Sequence, residues 1–308
     1  VKRFRSILFV SNGIKNETEA LAEAIRLAEY NQACLGILVV CPPFSSAFEQ
    51  YKDSYEAFLK EKAQKAIAEA QANLAAHKKS IPVDIVWEKN PSIAIIQHVL
   101  RHSHDLVIKA AEDESAKGFK ALDMALLRKC PCTLFLHRPL KNRKAVQIAV
   151  AISPENAETS ERDLACNLLK LAQHLAKFYP GKASILSCWE FALEGFLRNS
   201  AWIDMPADAI EEMVQQEGNS NYLALHQLIK QAKLQESPTI YHLKGDPIEV
   251  IPTWVTEKEI DVLVMGTVAR TGISGFIIGN TAENILQQLD CSLWAMKPQG
   301  FVSPVKAY

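Results

Sequence analysis

At 308 residues the chain is long enough for two domains of about 150 residues each. Hydrophobic residues make up 48% and charged residues 22%, an ordinary globular composition with sizeable cores. A net charge of -1, with 19 basic and 16 acidic residues in 1–140 against 15 and 19 in the remainder, excludes the basic footprint of a nucleic-acid binder.

In chain order, Ser6 to Val10 reads as a buried strand, and Thr18 to Tyr30 as a helix with Leu21, Ile25, Leu27 and Ala28 on one stripe. A second strand at Cys34 to Cys41 is halted by Pro42 and Pro43. Asp53 to His77 is rich in alanine, lysine and glutamate and predicts a long helix. Pro82 to Trp87 gives a third strand. Asn90 and Pro91 predict a helix start, with asparagine as cap and proline at the first helical position, running to His102. Leu106 to Ile108 is a fourth strand, Leu122 to Lys129 a helix, and Thr133 to Leu136 a fifth strand.

A polar connector from Pro139 to Lys144 follows, and the pattern restarts. Strands are predicted at Val146 to Val150, Ala183 to Trp189, Thr239 to Leu243, Asp261 to Met265 and Ser292 to Met296. Helices are predicted at Glu161 to Phe178, at Asp208 to Lys233 with an interruption near Gly218-Asn219, and from Asp246-Pro247.

The restart is an internal repeat. NPSIAIIQHVLRHSHDLVIKA at 90–110 matches DPIEVIPTWVTEKEIDVLVMG at 246–266, an offset of 156 residues. RKCPCTLFLHRP at 128–139 matches QQLDCSLWAMKP at 287–298, an offset of 159. Two domains are predicted, 1–140 and 141–308, related by a pseudo-twofold. Each would be an α/β unit with an open, mostly parallel sheet covered by helices on both faces. Right-handed crossovers then place the strand-to-helix loops, and any ligand, at one edge of each sheet.

The longest such loop follows Met265. Gly266, Gly272, Gly275 and Gly279 lead into Asn280, Thr281 and Glu283, with Asn280 or Thr281 as the expected cap. Glycines let backbone approach an anion closely, and first-turn amides have no partner of their own. A long loop using glycine for flexibility alone is the plainer alternative.

No run approaches 18 consecutive apolar residues, so no membrane span is predicted. The start, VKRFRSILFV, runs directly into a strand and leaves no room for a signal peptide. Seven cysteines, an odd number and mostly within apolar runs, read as reduced thiols of a cytoplasmic protein.

The segment VLVMGTVARTGISGFIIGNTAENIL at 262–286 resembles the nucleotide-binding segment of universal stress proteins. Two copies in one chain resemble the tandem type, and GTVARTGIS followed by GNTAE is most similar to the enterobacterial E class. The resemblance implies five-stranded sheets of order 3-2-1-4-5, with the fifth strands meeting across the domain pair. It further implies a regulatory or protective role in stress resistance. By the same resemblance, Met265, Gly266, Ala269, Arg270, Gly279, Asn280 and Thr281 would hold ATP or another nucleotide, with Mg²⁺ carried in by the phosphates. A metal held by the protein itself is not expected, nor is a Walker-type lysine present.

The family pattern for ATP is glycine, two residues, glycine, nine residues, glycine, then serine or threonine. Here Ala269 stands at the second glycine and Asn280 at the serine or threonine. The family's adenosine-contacting aspartate falls near Ala151 in the second copy and near Asn12 in the first. A Cβ at Ala269 would cost about 1 kcal/mol if the position needs positive φ. Loss of the acceptor at Ala151 would cost about 1.5–3 kcal/mol. Together these predict affinity weakened by about two to three decades, offset in part if Arg270 turns inward. In the first copy Ala110-Ala111 replaces Gly266-Thr267, and Glu112, Asp113 and Glu114 follow, so that loop is predicted to repel a triphosphate.

Other conspicuous clusters have ordinary structural readings. His98, His102 and His104 lack a metal signature and read as a solvated helix end compatible with the helix dipole. Cys130-Pro-Cys132 reads as packing rather than redox chemistry. Trp189 to Pro206 is either an apolar lid or pocket wall, or a helix packed on the neighbouring domain. No nucleophile, base and orienter come together, so no catalytic residues are assigned. The leading expectation is weak nucleotide binding without high-turnover chemistry. The alternatives are an apolar small-ligand or protein-interaction module that has lost ATP, and a slow ATPase. Domain pairing within the chain predicts a monomer or weak dimer.

Overall fold

The computed structural model describes residues 3–74, 80–140, 145–154, 159–200, 205–236, 238–267 and 278–308. The first half runs β1 (Ser6–Ser11), α1 (Thr18–Asn31), β2 (Cys34–Cys41), α2 (Lys52–Asn73), β3 (Val83–Trp87), α3 (Pro91–His102), β4 (Leu106–Ala110), α4 (Ala121–Lys129) and β5 (Thr133–His137). The second runs β6 (Val146–Ala151), α5 (Thr159–Phe178), β7 (Gly181–Trp189), α6 (Glu194–Asn199), α7 (Ala207–Ala232), β8 (Thr239–Lys244), α8 (Pro247–Glu257), β9 (Val262–Gly266), α9 (Asn280–Leu286) and β10 (Ser292–Met296). All ten predicted strands are present.

They form one sheet of order β3-β2-β1-β4-β5-β10-β9-β6-β7-β8. Each half is parallel, and the halves join where β5 meets β10 antiparallel, with Trp294 opposite Phe135. The fifth strands therefore meet across the pair, as the resemblance implies. Because side chains alternate across a strand, Ile7 and Phe9 enter one core while Leu8 and Val10 enter the other. The first core is roofed by α1, α2, α5 and α7, and the second by α3, α4, α8 and α9. Both layers continue across the seam. Phe4, Phe135 and Trp294 stack there, with Trp294 5.8 Å from Phe4 and 4.5 Å from Phe135 between ring centroids.

Four local expectations are corrected. The α7 helix is unbroken through Gly218, where a Cβ would lie 2.7 Å from the indole of Trp189. Glycine at this point admits a ring rather than ending a helix. Asn90 stands at the cap position of α3 but its side chain makes no capping bond; its repeat counterpart Asp246 does cap, accepting from Ile248 N at 2.9 Å. The cap residue of α9 is Gly279, not Asn280 or Thr281. Finally, Trp189, Phe191, Leu197 and Met205 pack on Ile210 and Val214 of α7, so α6 lies on its own half rather than on the neighbouring one. The predicted segment includes residues 201–204, which lie outside the described residues.

Candidate functional site

Antiparallel joining of the halves puts the two sets of strand-to-helix loops on opposite edges of the sheet. At the second-half edge, Gly266 ends β9 between Met296 on β10 and the end of β6, where Ala151 pairs with Met265. A Cβ at Gly266 would come 3.1 Å from Leu164 Cδ2 on α5, so glycine lets the helix sit close over the strand end. Thr267 is buried. Its amide donates to Met296 O at 3.3 Å, and its carbonyl accepts from Gly279 N at 3.2 Å, closing the mouth of the loop. Its hydroxyl has no partner among the described residues. A buried hydroxyl left unpaired is costly, and a ligand or water at the loop would satisfy it.

The structure thus brings together Met265, Gly266, Gly279, Asn280 and Thr281, with the last two exposed. Ala269 and Arg270, together with Gly272 and Gly275, lie outside the described residues. Beside the stem, a cleft of about 350 Å³ opens between α5 and α7, lined by Ser153, Arg162, Glu217, Ser220, Gln227 and Gln231. The first turns of α5 link the two features, since Leu164 packs under Gly266 while Arg162 faces the cleft.

The first-half edge is built differently. Glu112 turns back on its own loop, and its Oε2 accepts from Leu122 N at 2.7 Å and Asp123 N at 3.2 Å. Those are the first-turn amides of α4, the groups an external anion would use. Asp113 accepts from the amides of Ser115 and Ala116. Arg138, buried behind the loop, donates to the carbonyls of Glu114, Ala116 and Gly118. Gly118 has φ +75°, and a Cβ there would meet Gln287 O of the other half at 2.4 Å. Asn12 is spent locally as well, its side chain accepting from Ile14 and Lys15 amides and donating to Glu17. Burial raises the Glu17 carboxyl above its ordinary range despite the Ser11 hydroxyl bonded to it. The acidic loop plugs its own helix terminus, because the Glu112 carboxylate takes up the first-turn amides of α4.

At the established offsets, Glu112 corresponds to Val268, Ala111 to Thr267, and the amides of Leu122 and Asp123 to those of Thr281 and Ala282. The second copy has no carboxylate at the blocking position. No side chain among the described residues is bonded to the amides of Asn280, Thr281 or Ala282. Of the residues that shape the two edges, the sequence reading does not reach Thr267 or Arg138, and it takes Glu112 only as one of three carboxylates that repel a phosphate. Reading the repeat position by position, threonine against alanine, was the available signal for Thr267.

The histidines behave otherwise than expected. His98 and His104 stack with ring centroids 5.2 Å apart, His98 contacts Asp84 at 3.2 Å and His104 contacts Ser6 Oγ at 2.8 Å. Burial lowers both, His104 to about 4, so they are neutral rings rather than cations serving the helix dipole. No cluster of three metal-ligating side chains occurs among the described residues.

The Universal stress protein family matches residues 3–138 and 159–297. Universal stress protein E of Photorhabdus laumondii is 30% identical over 230 residues, 74% of this chain and 72% of the relative. The Universal stress protein E homolog of Haemophilus influenzae is 28% identical over 317 residues, covering 96% of this chain and 98% of the relative. Among solved structures, a functionally unknown protein of Pseudomonas aeruginosa PAO1 superposes with a TM-score of 0.72 at 21% identity, over 97% of this chain and 95% of that one. That last likeness is one of fold alone.

Proposed function

The chain belongs to the universal stress protein family in its tandem form, and from that premise we propose that it is a cytoplasmic stress-resistance protein whose second half binds ATP or another nucleotide weakly. Its role is regulatory or protective. The observation that carries the reading is Glu112. In the first copy a carboxylate occupies the first-turn amides of α4, which supports reading the equivalent amides of the second copy as an anion site. In the second copy that carboxylate is replaced by valine, and the buried hydroxyl of Thr267, which has no partner among the described residues, lies at the loop stem.

The phosphates would be held by Gly266, Gly279, Asn280 and Thr281, with Met265 at the strand end and Ala269 and Arg270 supplied by the intervening loop. Any Mg²⁺ would be carried in with the phosphates and would neutralise part of their charge. The ribose has no carboxylate acceptor at Ala151, so affinity is low. Equilibrium titration with labelled ATP and Mg²⁺ tests this: saturable binding in the second half, weakened at least tenfold by Gly279→Val, is expected. A folded protein that binds nothing at millimolar ATP overturns it.

A second reading, an apolar small ligand, draws on Leu193 and Phe196, which stand 53% and 57% exposed on the α6 side of the second half. Mass spectrometry of freshly purified protein under native conditions separates the two, by a bound nonpolar mass in one case and a nucleotide in the other.

A further inference from the structure

Between α4 and β5 the chain reads Cys130-Pro131-Cys132. Cys130 ends the helix in an extended conformation, φ -70° and ψ 128°, as a residue before proline prefers. The turn brings both sulfurs to one side, with Sγ of Cys130 3.5 Å from Sγ of Cys132. Packing alone does not require two thiols in contact. The repeat supplies an internal comparison, because at the same offset the second copy has Leu289 for Cys130 and keeps only Cys291, which is fully buried.

Access divides the pair. Cys130 is wholly buried, whereas Cys132 lines an open groove of about 440 Å³ with Leu100, Ser103, His104 and Lys297. Lys297 donates to Leu127 O at 2.7 Å, which fixes its ammonium beside α4 and the thiols. A cation next to an accessible thiol favours thiolate. The S–H···S bond, aided by Lys297 and opposed by burial, lowers the Cys130 thiol, while the same bond and burial push the Cys132 thiol well above its ordinary value. The pair thus ionises once, and because either sulfur can be the donor of the shared proton, the charge stands on Cys132 when Cys130 holds that proton. Burial brings Lys297 down to about 8, the adjacent thiols acting the other way, so it can release a proton.

We propose that Cys130 and Cys132 are a peroxide-responsive dithiol, in which Cys132 meets the oxidant and Cys130 closes the disulfide. The co-reactant is hydrogen peroxide. The Cys132 thiolate sulfur attacks one peroxide oxygen, the O–O bond breaks, and the departing hydroxide takes a proton from Lys297 to leave as water. The Cys132 sulfenic acid so formed is attacked by the Cys130 sulfur. The S–O bond breaks, the hydroxide leaving group takes the Cys130 proton, and a second water departs. Each sulfur gives up one electron to the disulfide and the peroxide accepts both. The sulfurs close from 3.5 Å to bonding distance, about 2.05 Å, within one turn of chain. This proposal stands independently of nucleotide binding.

The test treats the folded, reduced chain with hydrogen peroxide, alkylates it in denaturant and digests it with trypsin. Cys130 and Cys132 share the peptide 130–141, so their disulfide makes that one peptide two hydrogens lighter and protects both from alkylation. Cys291, its thiol pushed up to about 12 by burial, serves as the unreactive control. In Cys130→Ser, Cys132 is expected to accumulate as sulfenic acid that a cyclic 1,3-diketone traps. In Cys132→Ser, Cys130 is expected to stay reduced. Lys297→Met is expected to slow the wild-type reaction about tenfold. Peptide 130–141 remaining reduced while exposed Cys34 oxidises overturns the proposal, as does trapping at Cys130 rather than Cys132. Circular dichroism matched to the wild type confirms that each variant is folded.

Discussion

The ammonium of Lys109 on β4 lies 2.9 Å from Oδ1 of Asp123 on α4, and both side chains are buried. The pair is fully engaged. Lys109 also donates to Ala110 O at 2.8 Å, and the second carboxylate oxygen accepts from Glu112 N at 2.9 Å. Burial raises the Asp123 carboxyl, and the neighbouring ammonium opposes that shift.

Breaking such a pair from one side leaves an uncompensated buried charge. Asp123→Ala is therefore expected to destabilise the chain by about 3–5 kcal/mol in urea unfolding. The repeat supplies the compensating change, because Met265 and Ala282 occupy the same two positions in the second copy. Lys109→Met with Asp123→Ala should recover most of the loss, coming within about 1–2 kcal/mol of the parent. A double variant no better than Asp123→Ala would show that the pair matters for its loop geometry rather than its charge.

Glycine inside an exposed helix ordinarily costs about 1 kcal/mol relative to alanine. At Gly218 the sign is expected to reverse. A Cβ would lie 2.7 Å from two atoms of the Trp189 ring, and that ring is held by stacking on His242 with centroids 5.7 Å apart. Gly218→Ala should lower stability by about 1–3 kcal/mol and shift the tryptophan emission, read from a denaturant titration followed by fluorescence.

Acid is expected to weaken the junction of the two halves. His174 on α5 lies against Phe4 and Tyr30 of the first half, at 6.5 and 5.1 Å between ring centroids. Burial, and then the charges of Arg3 and Lys177, lower it to about 4. Between the ordinary value of 6.5 and about 4, the unfolded chain takes up a proton that the folded chain refuses. Stability is thus full above pH 6.5 and falls as pH drops through that window. At about 1.4 kcal/mol per unit, reduced for the ring's partial exposure, His174 contributes a loss of about 2 kcal/mol. His104 adds to the same window. His174→Phe should flatten the pH profile of the urea midpoint between pH 6.5 and 4; an unchanged profile would place the dependence elsewhere.

Much of the fold was legible because parallel strands buried on both faces are written as unbroken apolar runs, such as Leu106 to Ile108 and Val262 to Met265. The duplication at a fixed offset then gave two equivalent halves. Of the candidate site, the positions of Met265 and Gly266 at a strand end and of Gly279 at a helix start were legible because those are local features. Gly218 was misread as a helix breaker because the ring that requires it, Trp189, is remote in sequence. The three carboxylates at 112–114 were legible as charge, but not as a plug in the adjacent helix terminus.

What the sequence determined by itself was therefore the set of elements, their repetition and the family, all of which rest on local patterns and spacing. Tertiary structure decided which helix terminus is plugged by its own carboxylate, which glycine admits a ring, and which two thiols touch. Those outcomes depend on where a side chain lands against residues distant along the chain. Short-range periodicity carries no record of that landing, whereas close packing fixes it to within a fraction of an ångström.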